Sequence, residues 1–165
     1  MPNRKHPRLD NFDYSSDGAY FITICTQNKK CLLSRIVEQE PTLVEVEYTE
    51  YGKVAKKQLL LLEQRYPFVQ VAQYVIMPNH IHIILVIENT APKENFRTTV
   101  SDIICAYKSL TTRECKKISP VEKVFQTSFY EHIIRGKEDY EEIVKYIYEN
   151  PLRWKFDKMY SEEYT

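Results

Sequence analysis

Two short stretches of this chain carry residue types that could do chemistry together. The first is Met77-Pro78-Asn79-His80-Ile81-His82, which runs on into Ile83-Ile84-Leu85-Val86. Side chains two apart in a strand point to the same face, so His80 and His82 project side by side while Ile81 turns away. Two neutral imidazoles that close can share one divalent metal. The bland alternative is a polar alternation on a half-buried strand. Against it, the strand beyond His82 is strongly apolar, and two polar rings at its mouth are costly to bury with nothing bound to them.

The second stretch is Tyr146-Ile147-Tyr148-Glu149-Asn150-Pro151. On a helix Tyr146 and Asn150 stack one turn apart, at the edge of a stripe made by Ile143, Val144 and Ile147. An edge position suits a tyrosine that packs its ring and presents its hydroxyl to a cleft. The alternative is a packing tyrosine followed by an Asn cap before a helix-stopping proline. The two stretches complement each other. His80, His82 and the Asn150 oxygen would make a mixed N/O shell suited to Mg²⁺ or Mn²⁺, with positions open for a phosphate oxygen and water. A metal there would polarise a phosphodiester. Tyr146 would be the nucleophile, and with a free pKa of about 10 it needs that help.

The elements that must position these residues can be traced along the chain. Residues 19–27 are β-branched and aromatic and read as a strand, and residues 42–48 alternate as a short one. Thr49 caps a helix over 51–65, with Val54, Ala55, Leu59 and Leu62 on one side. Strands at 69–77 and 80–87 flank Pro78-Asn79 and pair as a hairpin. Residues 88–97 read as a loop. Thr99 opens a helix to Lys117, with Asp102 in its first turn. Short extended pieces follow near 124–125 and 130–134, then a last helix over 138–150 that Pro151 stops. The order is an α+β pattern, and a ferredoxin-like split β-α-β antiparallel sheet with an added C-terminal helix carrying the tyrosine is one of several topologies compatible with it.

Composition narrows the classes. One hundred and sixty-five residues make one domain, 1–165, with a basic N-terminal arm over about 1–10. Lys+Arg and Asp+Glu both count 23, which argues against holding nucleic acid by bulk charge. Three glycines exclude Gly-rich phosphate loops, and 13 tyrosines pose the question of packing, base stacking or chemistry. Cys25, Cys31, Cys105 and Cys115 form no CxxC pair and read as reduced packing thiols. There is no secretory signal or lipidation motif, and the longest apolar run, 83–87, is far short of a membrane span. A cytoplasmic, soluble protein with no membrane partner is expected.

The zero net charge is an average over unlike parts. Residues 97–117 hold five Lys/Arg against two acids, and residues 138–165 hold eight acids against four bases. Phosphate contacts are expected from Arg4, Lys5 and Arg8 on the arm and from Lys108, Arg113, Lys116 and Lys117 on the second long helix. Each cluster taken alone could equally be a solvated face.

In order and spacing, several blocks resemble the single-tyrosine HUH transposases, and most closely their REP-associated tyrosine transposase branch. They are Arg8-Leu-Asp-Asn-Phe-Asp-Tyr14-Ser, Gly18-Ala-Tyr-Phe-Ile-Thr-Ile-Cys-Thr26, Met77 to His82, Ala106-Tyr-Lys108-Ser, Tyr130-Glu-His-Ile-Ile-Arg135 and Tyr146 to Pro151. They run over residues 8–154, nearly the whole chain. The resemblance implies a divalent metal held by His80, His82 and Asn150, with Tyr146 as nucleophile. It implies cleavage of single-stranded DNA beside a hairpin, at a REP-like or insertion end, through a 5′-phosphotyrosine link and a free 3′-OH, in a bacterial, DNA-associated setting. Insertion-sequence members carry Gln at the third-ligand position, so Asn150 favours the REP-associated branch. That branch often has Trp-Gln where this chain has Phe125-Gln126. Monomer and homodimer both remain open, as does assembly of the site within one chain or between two. His132 reads as a surface or core histidine rather than a ligand. Two rivals remain. One is a catalytically idle hairpin nucleic-acid-binding module of the same fold. The other is a metal-dependent hydrolase that uses water in place of Tyr146.

Overall fold

The computed structural model describes residues 18–88 and 98–161. The N-terminal arm with Arg4, Lys5 and Arg8, and most of the 88–97 loop, lie outside the described residues. The elements are β1 (Gly18–Cys25), β2 (Ser34–Glu40), β3 (Leu43–Tyr48), α1 (Glu50–Leu60), α2 (Leu62–Arg65), β4 (Val69–Ile76), β5 (His80–Ile87), α3 (Val100–Lys116), β6 (Tyr130–Ile134) and α4 (Gly136–Glu149).

Four strands form one antiparallel sheet in the order β4-β5-β1-β6. With α1 and α3 as the crossovers, this is the expected ferredoxin-like split β-α-β arrangement. The two central strands alternate between the two layers. Tyr20, Ile22 and Ile24 of β1 and Ile81, Ile83 and Leu85 of β5 join α1 and α3 residues in the main core. Phe21 and Ile84 face the other way and pack with Ile147, Ile143 and Val144 of α4. The sheet is thus covered on both faces, and seven of the eight β5 residues are buried.

Local chemistry explains the ends of these elements. Thr99 and Asp102 form a reciprocal capping box on α3. Thr49 caps α1 by accepting from Gly52 N. Gly52 is required there because a Cβ would stand 1.8 Å from the Leu33 carbonyl oxygen. No helix among the described residues is long and apolar enough to cross a membrane.

Several boundaries differ from expectation. The first strand ends at Cys25, because residues 27–29 turn as a 3-10 segment and Thr26 instead makes an isolated bridge to Phe125. The helix expected over 51–65 is divided at Leu61, where ψ of −12° tightens the turn. The last helix starts two residues early, at Gly136, whose φ of +82° lets the chain turn out of β6. Residues 34–40 are a strand that the pattern did not reveal. They pair with β3 as a separate two-stranded sheet with largely exposed side chains. Cys105 is exposed on α3 and so is not a packing thiol, whereas Cys31 and Cys115 are buried.

Candidate active site

β5 starts at the mouth of the sheet, and its first and third residues face α4. His80 and His82 lie with ring centroids 4.6 Å apart, and both are essentially inaccessible to solvent. Pairing with β1 sets Cys25 opposite His80 and Thr23 opposite His82. Phe21, two residues before Thr23, stacks on the His82 ring at 5.2 Å.

Each imidazole has its Nδ1 against a neighbouring side chain. His82 Nδ1 meets Thr23 Oγ1 at 2.8 Å, and its Nε2 is buried with no hydrogen-bond partner. His80 Nδ1 meets Asn79 Oδ1 at 2.9 Å, and its Nε2 faces Asn150 Oδ1 at 3.3 Å. Burial is the main force on both rings. It drives His80 down to about 4, with Asp157 and the hydrogen bond that a protonated ring would donate to Asn150 opposing and Lys29 adding. It drives His82 well below the ordinary histidine range, with His80 and Lys158 adding. Both rings are therefore neutral at neutral pH, the form that binds metal.

α4 brings the other two residues. Ile147 is its buried anchor. Asn150 caps its C-terminus and is 2% exposed, so the amide is committed to the site interior. Tyr146 stands one turn earlier and is 42% exposed. Its ring lies 5.2 Å from His82 and edge-on to Phe21 at 6.1 Å. The phenol is held above its ordinary pKa, first by burial and then by Asp157, with a hydrogen bond to Asn150 opposing. It is protonated at neutral pH. After Pro151 the chain makes a 3-10 turn over Trp154–Phe156, and Trp154 packs 6.0 Å from His80.

The donor set fits a divalent cation. Among the described residues no three His, Cys, Asp or Glu side chains converge, so a third protein ligand beside the two imidazoles would have to be of another type, and the Asn150 amide oxygen is placed for it. Two ligands of one cation, each about 2.1 Å from it, stand roughly 3.0–3.4 Å apart. His80 Nε2 and Asn150 Oδ1 meet that spacing. The unmet His82 nitrogen is the kind of buried polar atom that a bound group would satisfy.

The basic cluster on α3 lies elsewhere. α3 packs on the sheet face opposite the histidines, through Ile103, Ile104 and Tyr107. Arg113, Lys116 and Lys117 are exposed there, and Glu114 pairs with Arg113 and Lys117. Lys108 instead donates to the carbonyls of Gln126 and Thr127 at 2.9 and 2.6 Å, so its ammonium ties down the loop before β6. His132 bonds Asp139, whose carboxylate also accepts from Arg135 N, so it secures the corner between β6 and α4.

Three residues around the site escaped the sequence reading. Thr23 and Phe21 carried a signal in the alternation of β1, but only the register of β1 on β5 sets them against His82. Trp154 carried none, because its place under His80 depends on the path of the chain after Pro151.

No family model matches the chain. A Haemophilus influenzae protein described only as uncharacterized is 34% identical over 173 residues, which cover 96% of this chain and 93% of that one. A REP-associated tyrosine transposase of Escherichia coli is 25% identical over 151 residues, 90% of this chain and 75% of its own. The solved structure of a REP-associated tyrosine transposase bound to a REP hairpin superimposes with a TM-score of 0.62 at 21% identity, over 92% of this chain and 76% of that one. That likeness shows a common fold, and the sequence relatives carry the kinship. In sequence the chain is related to the REP-associated tyrosine transposases, a family of transposase enzymes, and it shares their fold.

Proposed function

We propose that this transposase is a metal-dependent endonuclease and strand transferase for single-stranded DNA, acting at hairpin-flanked sites through a 5′-phosphotyrosine. One observation carries the reading. His80 Nε2, Asn150 Oδ1 and the unpartnered His82 Nε2 lie together beside the Tyr146 ring.

His80, His82 and Asn150 would hold Mg²⁺ or Mn²⁺. When bound, the ion supplies positive charge that stabilises charge developing on a phosphodiester oxygen. The protein's own contribution is placement. Phe21 and His82 flank the Tyr146 ring, and Asn150 lies within hydrogen-bonding reach of its hydroxyl. The Tyr146 oxygen attacks phosphorus and the P–O3′ bond breaks. The phenol gives up one proton and the departing 3′ oxygen gains one, so no nucleotide cofactor is consumed. The reverse step rejoins a strand. Positioning and electrostatics would lower the barrier, since burial and Asp157 hold the phenol above its ordinary pKa despite the Asn150 hydrogen bond.

The hairpin named for the related solved structure suggests the partner, a single strand bearing a REP-like or insertion-end hairpin. Arg113 and Lys116 would meet its phosphates, with Arg4, Lys5 and Arg8 reaching from the arm. The test is a hairpin oligonucleotide with a single-stranded flank, incubated with Mn²⁺ or Mg²⁺. A protein–DNA adduct on a denaturing gel is expected, and Tyr146→Phe removes it while hairpin binding persists. Binding without an adduct from the unmodified chain would favour the idle binding module. Cleavage that survives Tyr146→Phe would favour a water-using hydrolase.

A further inference from the structure

Asn79 sits at the turn between β4 and β5 and is 1% exposed. Every polar atom of its side chain is engaged. Nδ2 donates to the Lys29 carbonyl at 3.2 Å and to the Met159 carbonyl at 2.8 Å. Oδ1 faces His80 Nδ1 at 2.9 Å. Carbonyl oxygens only accept, so both amide hydrogens must point at them and the amide cannot be turned over. Oδ1 is then left as a pure acceptor, and His80 Nδ1 must carry the ring proton. A neutral imidazole has one such proton, which makes His80 Nε2 a bare lone pair.

That nitrogen faces Asn150 Oδ1, another acceptor, at 3.3 Å. With the opposite tautomer, Nε2–H would donate to Asn150 and close the site with a hydrogen bond of its own. The companion ring has no equivalent device. His82 Nδ1 meets the Thr23 hydroxyl, which can donate or accept and so does not choose a tautomer.

We propose that Asn79 is a positioning residue that locks His80 in the Nδ1–H tautomer, keeping two lone pairs facing each other where a divalent cation would sit. The inference rests on the proposed metal role of His80 and Asn150. It also accounts for an otherwise costly turn. Asn28 and Lys29 are consecutive non-glycine residues with φ of 55° and 54°. Asn adopts this left-handed region readily, but it is unfavourable for Lys29 and persists where the surroundings hold it. Here the turn presents the Lys29 carbonyl to Asn79. The amide thereby ties the turn after β1 and the C-terminal segment at Met159 to the ring of His80. Outer partners of metal-binding histidines fix the tautomer and commonly change metal affinity by about 10–100-fold when lost.

The test uses the full chain with ¹⁵N-labelled histidine, free of metal and DNA, and long-range ¹H–¹⁵N correlation of the ring nitrogens. His80 is assigned by the signals lost in His80→Gln. The expected result is a proton on His80 Nδ1, and a proton on Nε2 would overturn the proposal without any variant. Asn79→Ala is expected to shift the ring toward Nε2–H and to weaken Mn²⁺ binding, read by calorimetry, by about 10–100-fold. Asn79→Asp keeps the acceptor and loses the two donors. It is expected to keep the tautomer and bind Mn²⁺ at least as tightly as the unmodified chain, while unfolding at lower denaturant. Equal loss of affinity in Asp and Ala variants that both keep a native circular dichroism spectrum would refute the assignment. An Nδ1–H tautomer with no Mn²⁺ binding would sink the metal reading and leave Asn79's role standing, so the two failures are distinguishable.

Discussion

The site should weaken the metal-free protein, and the size of that effect can be worked out from His82. Its Nε2 is buried without a partner, and a buried unsatisfied polar atom costs about 1–3 kcal/mol. His82→Leu alone would strand the Thr23 hydroxyl, so the informative change is Thr23→Val with His82→Leu. Replacing both members of a buried hydrogen bond by apolar groups of similar shape is nearly neutral or stabilising. The ring stack on Phe21 at 5.2 Å is lost, which costs about 0.5–1.5 kcal/mol. At the midpoints of these ranges the balance favours the double variant by about 1 kcal/mol. For a chain of this size that raises Tm by roughly 2–4 °C. The assay is urea and thermal unfolding in excess chelator. Mn²⁺ at a hundred times its Kd should then add about 2.7 kcal/mol to the unmodified chain and nothing to the variant, so the order reverses. A double variant that is less stable in chelator would refute the claim that these side chains are kept for binding rather than for packing.

Acid should weaken the metal-free fold. The folded-state pKa of His80 is depressed to about 4 by burial, against about 6.5 unfolded. The unfolded chain therefore binds more protons between these values, and stability present above about pH 6.5 is lost as pH falls toward 4. Unfolding midpoints across that window check this, and removing His82 should flatten the slope. Thr99→Ala breaks the α3 capping box and should cost about 1 kcal/mol in urea unfolding. Gly52→Ala drives a Cβ into the Leu33 backbone and should cost about 3 kcal/mol. Arg113→Ala and Lys116→Ala should each lower the salt slope of hairpin binding by about 1 if they meet phosphates, with unchanged unfolding. Lys108→Ala should instead lower stability, because it frees two loop carbonyls.

Elements set by local chemistry are legible in the order of residues. The alternation of His80 to Ile87, the hairpin around Pro78-Asn79, the Thr99 cap and the helix ending before Pro151 all depend on neighbours along the chain. The β2 strand is not legible in the same way, because its side chains are largely exposed and show no clean apolar alternation. The break at Leu61 is hidden for a related reason. The apolar stripe continues across it, and only the backbone tightens.

The chain alone therefore determined which residues could do chemistry, since the types and spacing of His80, His82, Tyr146 and Asn150 are fixed covalently. Tertiary structure decided what surrounds them. Antiparallel register set Thr23 against His82, the turn after Pro151 put Trp154 beside His80, and α3 carried its basic residues to the far face of the sheet. Asn79 shows the division most plainly. Its place before His80 is read directly from the sequence, but its hold on that ring depends on carbonyls 50 residues before it and 80 residues after it. Only folding brings those groups within hydrogen-bonding distance.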